Sequence, residues 1–240
     1  MAVASPSSTL SANDARVLGA LFDPETLPSS VAKSKDASAI DDSLPAHPSI
    51  SPSQLSSLET SQQRIVHNVS ALSDAAALDA AIEQLDAMIT SYPNYGSAYA
   101  NRAMLRRISM ESCLAEGGNI FASSLDSCVE ALFTDLARAI HLSLPSTSSS
   151  TPVSTYQARI LRTAYSHRAY LYLKAVETDT QLNGARKSEL EELASKDFAA
   201  AARYGDEVAR EMSVRTNPYA KMCGAIVRNA LREERQSETM

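Results

Sequence analysis

The 240-residue chain has no Trp, only seven Gly, and no excess of positive charge, its formal net charge being −6. Scarce Gly leaves few of the tight turns a sheet protein needs, and plentiful Ala, Leu, Ser and Glu suits helix. Without a basic footprint to neutralise phosphates, general nucleic-acid binding is disfavoured. No apolar run approaches the roughly 18 residues of a membrane span. The opening MAVASPSSTLSAND has no basic stretch followed by an apolar one, and no Arg before Arg16, so it reads neither as a secretory signal nor as a mitochondrial leader. Cys113, Cys128 and Cys223 lie far apart without CxxC spacing. That pattern predicts buried free thiols in a reducing compartment. No glycine-rich phosphate loop, nucleophile elbow or paired-carboxylate motif occurs. The expectation is a non-enzymatic protein with no catalytic residue, cofactor or metal. Its expected compartment is the cytoplasm, with the nucleus as alternative.

What is present divides the chain into three parts. Residues 1–52 are Ser- and Pro-rich, with fourteen Ser by residue 57 and six Pro between Pro6 and Pro52. Such a segment buries too little apolar surface to offset its ordering entropy, which predicts a mostly disordered tail. One island, Asn13 to Phe22, has a capping Asn13, then Val17, Leu18 and Leu21 at helical spacing, and ends at Asp23-Pro24. It predicts a short helix that must dock on something, because two or three turns are unstable alone.

Residues 53–205 hold six helical patterns. They span about 53–72, 75–91, 97–112, 121–143, 156–177 and 187–204, with apolar residues recurring at helical spacing. Breaks fall at Tyr92-Pro93-Asn94, at Glu116-Gly117-Gly118, in the Ser-rich stretch 143–155, and at Asn183-Gly184. Residues 206–240 add a short helix and a last one opened by Asn217-Pro218, a strong helix start. The last helix places Tyr219, Met222, Cys223, Ile226 and Val227 on one side, and reads as an amphipathic lid over the preceding helices.

Val69 and Ala103 are 34 residues apart, the period of tetratricopeptide repeats. The segments Asn101-Arg102-Ala103 and His167-Arg168-Ala169 look alike, as do LARAI (136–140) and FAAAA (198–202). The resulting expectation is an all-α, tetratricopeptide-like solenoid of about three hairpins, with insertions at 113–122, 143–155 and 178–187 and a C-terminal capping helix. An irregular helical bundle is the alternative. First helices of stacked hairpins line a concave face. In this frame the groove residues are Gln63, His67, Asn101, Arg107, Arg162, His167 and Tyr170. His67 and His167 read as polar groove residues and not metal ligands, because no Cys or carboxylate shows ligand spacing. Arg102, Arg106 and Arg107 read as a solvated helix face.

NDARVLGALFDPETL (13–27), the hairpin AIEQLDAMI with GSAYANRAMLRR, and NPYAKMCGAIVRNALREE (217–234) resemble the tetratricopeptide repeat protein 36 family. The resemblance implies a three-repeat helical fold, association with the Hsp70 chaperone and a role linked to tyrosine metabolism. The expected function is therefore an adaptor binding Hsp70 or a client enzyme. The alternative is a stabiliser of a metabolic enzyme that works without chaperones. Related repeats that clamp chaperone C-terminal carboxylates use Lys, Arg and Asn side chains. Here only Asn101 falls on such a position, with Val66, Ser70, Thr163 and His167 at the others.

Overall fold

The computed structural model describes residues 39–69, 74–114, 118–145 and 151–238. The expected helix at 13–22 lies outside them. Among the described residues the fold is all-helical, with two isolated β-bridges. The helices are α1 (Pro52–His67), α2 (Ala75–Ser91), α3 (Gly96–Ser112), α4 (Asp126–Ser143), α5 (Thr155–Glu177), α6 (Lys187–Arg203), α7 (Glu207–Arg215) and α8 (Pro218–Glu238). From α2 to α7 each helix packs on the next, and α3 also meets α5.

Local chemistry sets the boundaries. Ser51 caps α1 and Pro52 opens it, where a missing N–H costs nothing. Asp74 caps α2 through Ala77 N at 2.8 Å, and Asp206 caps α7 through Ala209 N at 2.9 Å. Tyr92 ends α2, and Pro93 and Asn94 turn the chain into α3. After α5, Asn183 (φ 52°) and Gly184 (φ 77°) make the tight turn that their dipeptide predicts, closed by Ala185 N to Leu182 O at 2.9 Å. Gly205 (φ 87°) follows α6 in a left-handed conformation that glycine adopts without strain.

Leu78, Leu85, Leu105, Leu132, Leu136, Leu161 and Leu171 are almost fully buried. Each such side chain contributes about 1.5–3 kcal/mol of burial. Ala103, Ala139, Ala169 and Ala201 have no exposed surface, so small residues let the helices approach as the sequence pattern predicts. Ala209 of α7 joins Ala169, Ala194, Phe198 and Ala201 in a second apolar cluster, which closes the end of α6.

Four expectations are corrected. Residues 39–51, assigned by composition to the tail, form a strap packed on the helices. Ala39 is buried, and Ile40 bridges Val153 in parallel, with Asp41 N to Val153 O at 2.9 Å. His47 is buried; its Nδ1 accepts the Ser49 and Ile50 N–H groups, so Nε2 donates to Asn94 O at 3.1 Å. Composition counts residues, whereas these few anchors do the packing. Second, α1 ends at His67, so Val69 lies beyond the helix and marks no helix crossing. Third, α8 presents Tyr219, Met222 and Ile226 to solvent, each more than half exposed, and touches α6 and α7 only lightly. The closing contacts come from α7 instead. Fourth, all three cysteines are exposed, because each sits on the outer side or at the end of its helix.

Ser154 joins strap and helix. Its Oγ donates to Ala46 O at 3.0 Å, and the residue forms a capping box with Gln157 at the start of α5. Ser154→Ala should cost about 1–2 kcal/mol in urea unfolding. A loss of only a few tenths would show that the strap hangs on its other contacts.

Candidate binding groove

α1, α3 and α5 present one polar face. On it, Glu59, Gln62 and Gln63 of α1, Ser97 and Asn101 of α3, and Arg159 and Thr163 of α5 enclose a cavity of about 210 Å³. An open cleft of about 710 Å³ shares Gln62, Gln63 and Asn101 with it and runs along α1 past Arg64, His67 and Asn68. Three predicted groove residues, Gln63, His67 and Asn101, therefore line one continuous depression. Asn101 Nδ2 donates to Ser97 O at 3.1 Å, which fixes the amide against its own helix. Gln62 is buried and donates through Nε2 to Ser97 Oγ at 2.9 Å, while its Oε1 has no partner.

The other predicted residues lie elsewhere. Arg107, His167 and Tyr170 form a separate lock between α3 and α5. Arg107 Nε donates to His167 Nε2 at 3.1 Å, its Nη1 pairs with Glu111, and its guanidinium lies 5.5 Å from the Tyr170 ring centre. The acceptor role of Nε2 places the imidazole proton on Nδ1. Burial first, and the Arg107 charge second, push the His167 pKa down to about 4. Arg162 is exposed and lines a different depression, with Ile40, Tyr156 and Tyr204.

The arginines are the largest departure from the sequence reading. Arg102 is part-buried and forks onto Asp135, with Nε to Oδ2 at 2.9 Å and Nη2 to Oδ1 at 2.5 Å, and it also pairs with Asp86 of α2. Arg106 donates to the same Asp135 at 2.8 Å. Arg168 repeats the arrangement one pair later, forking onto Asp197 of α6 at 2.6 and 2.8 Å. In both units a Tyr three residues earlier, Tyr99 or Tyr165, supports the guanidinium at 5.4 or 5.6 Å. The expected solvated face is therefore a set of interhelical ties. The recurring Tyr-x-x-Arg-Ala, with an Asp on the following helix, carries the signal in the sequence.

These pairings decide what the groove can recognise. Arg159 is matched by Glu59, and Arg107 by Glu111. Among the described residues Arg64 and Arg162 are without an ion-pair partner, and they line different depressions. The groove is thus amide-rich and nearly charge-balanced, unlike a clamp for paired carboxylates. A second hollow of about 780 Å³ lies between α4 and α6, with Phe133, Tyr172, Leu190 and Leu193 as walls. The insertion at 178–187 supplies one side through Gln181, Leu182 and Asn183. Among the described residues no helix is long and apolar enough to cross a membrane.

Fold and groove together define an all-helical protein of successively packed helices with an amide-lined face on α1, α3 and α5. The chain is 42% identical over 248 residues to the L-tyrosine degradation gene cluster protein hmgX of Aspergillus fumigatus, an alignment covering 94% of this chain and 93% of that protein. It belongs to the family of that protein. No family model and no solved structure matches it.

Proposed function

We propose that the protein is a non-enzymatic, tetratricopeptide-like scaffold that supports tyrosine degradation by binding and stabilising an enzyme of that route. The observation that carries this reading is its near full-length match to a protein named for a tyrosine degradation gene cluster. The groove supplies the means. Its amides carry paired donors and acceptors suited to a polypeptide partner, and its inner arginines are already matched. Cells lacking the protein should lose a tyrosine-catabolic enzyme at the protein level while its transcript persists. Restoring the chain with Gln63→Leu and Asn101→Leu together should fail to bring the enzyme back. Unchanged enzyme levels after deletion would overturn the reading.

The chaperone version follows from the resemblance to the tetratricopeptide repeat protein 36 family. The neutralised groove favours contact with Hsp70 away from its C-terminal tail. Capture of Hsp70 with and without that tail separates the versions: equal capture supports a tail-independent contact, and no capture of either leaves the enzyme as the partner.

A further inference from the structure

The hollow of about 780 Å³ between α4 and α6 has the dimensions of one short helix. On α4 it is lined by Asp126, Val129, Glu130, Phe133, Thr134 and Ala137, which recur every three or four residues. That spacing is the stripe a helix gives to a packed neighbour. It is distinct from the buried stripe through Leu132, Asp135 and Leu136, which Arg102 ties to α3. At about 1.5 Å per residue, the lined part of α4 runs for about 16 Å. Tyr172 of α5 and Leu190 and Leu193 of α6 form the facing wall, and Leu193 is 37% exposed. Arg168, the cation in the lining, is already gripped by Asp197. What the hollow offers is therefore mainly apolar contact, and an open apolar surface of this kind marks an interaction site.

The sequence holds one apolar stripe of matching length. Residues 13–22 carry Val17, Leu18, Leu21 and Phe22 at helical spacing and stop at Asp23-Pro24. As a helix their ten residues measure about 15 Å, the length of the lined part of α4. Their charges, Asp14 and Arg16, cancel. The tether also fits. Ala39 and Ile40 are fixed to Val153 just before α5, whereas Gln181 to Asn183 bring the hollow to the far end of that helix. The 23 residues of α5 cover about 35 Å. Residues 23–38 reach about 55 Å when extended, so the segment arrives with slack. A tether of this kind holds its cargo at an effective concentration near the millimolar range, which a free partner does not match. The exposed stripe of Tyr219, Met222 and Ile226 on α8 does not line the hollow of its own chain, and a second copy supplying it would lack that advantage.

We propose that the hollow between α4 and α6 is the seat of the chain's own residues 13–22. Val17, Leu18, Leu21 and Phe22 pack there against Val129, Phe133, Tyr172 and Leu193. The segment gains the tertiary contact that two or three helical turns need, and the open stripe of α4 gains its neighbour. This surface lies apart from the amide-lined groove, and the proposal does not rest on the scaffold reading.

Two measurements on the full chain test it. A photocrosslinking p-benzoylphenylalanine in place of Leu193 should join to a peptide containing residues 13–22, in a product of monomer mass. Leu18→Asp with Leu21→Asp should lower the melting temperature by at least about 4 °C, although both changes lie outside the helical stack. Leu193→Lys should lower it as well, and the three changes together should lower it no further than the larger effect alone, because both sets break one contact. A crosslink of dimer mass at residues 219–226 would overturn the proposal in favour of a second copy. Crosslinks that leave residues 13–22 untouched, an unchanged melting temperature in the Leu18 and Leu21 variant, or fully additive effects would also overturn it.

Discussion

Asp135→Ala is expected to destabilise the protein by about 3–5 kcal/mol, read from the shift in urea unfolding midpoint. The carboxylate is 1% exposed and accepts three bonds, two from Arg102 and one from Arg106. Removing it strands two guanidiniums between α3 and α4. Asp86 retains a hold on Arg102, but from a half-exposed position on α2. Arg106 keeps the Ala131 carbonyl at 3.2 Å, which carries no full charge. A truncation that leaves a buried charge unmatched costs far more than the pair contributes over a well-packed apolar substitute. Asp197→Ala should behave alike, because Asp197 is buried and Arg168 on α5 grips it with the same fork. A loss below about 1 kcal/mol for Asp135→Ala would mean that water reaches the site and replaces the carboxylate.

The second large effect is on pH dependence. His167 is neutral at pH 7 in the folded chain and would begin to take a proton only near pH 4. The unfolded chain takes that proton near pH 6.5. Between those values the unfolded state binds more protons, so stability falls as pH falls through the window and levels off below it. The size is about 3 kcal/mol at one pKa unit per 1.36 kcal/mol. His167→Gln removes the titration. The wild type should therefore lose about 3 kcal/mol more than this variant between pH 7 and pH 4 in urea unfolding. Parallel curves would show that the imidazole charges in place, with solvent screening the Arg107 guanidinium.

How much of this was legible from residues alone follows from what each signal depends on. Some helix boundaries are written locally, and the breaks at Tyr92-Pro93-Asn94 and Asn183-Gly184 appear where expected, whereas the first helix stops at His67, five residues early. Small crossing residues such as Ala103 and Ala169 are also local in pattern. The role of Arg102 is not, because its partner lies 33 residues away on another helix. A lone Arg on a helix reads as surface until that Asp is placed opposite. The groove was half legible for the same reason. Gln63, His67 and Asn101 share a face, but Arg107 and His167 find each other first and close into a lock, 60 residues apart. Gln62, the buried residue at the floor, was missed, since its neighbour Gln63 matched the expected register. The strap escaped because Ser and Pro dominate it, while Ala39, Ile40 and His47 supply its contacts.

That strap changes how the molecule should come apart. A stack in which each pair of helices meets only its neighbours can fray from an end, one pair at a time. Here the segment before α1 reaches both the turn between α2 and α3, through His47 and Asn94, and the beginning of α5, through Ile40 and Val153. Asp42 meets Thr155 across 113 residues of chain. Peeling away α1 therefore pulls on α5, so the helices from α1 to α5 share one unfolding event. The same long closure makes this contact among the last to form, since its loop entropy must be overcome before the contact gives anything back. The first five helices of a linear array thus acquire the all-or-none character of a closed ring, and α6 and α7 remain the end free to fray.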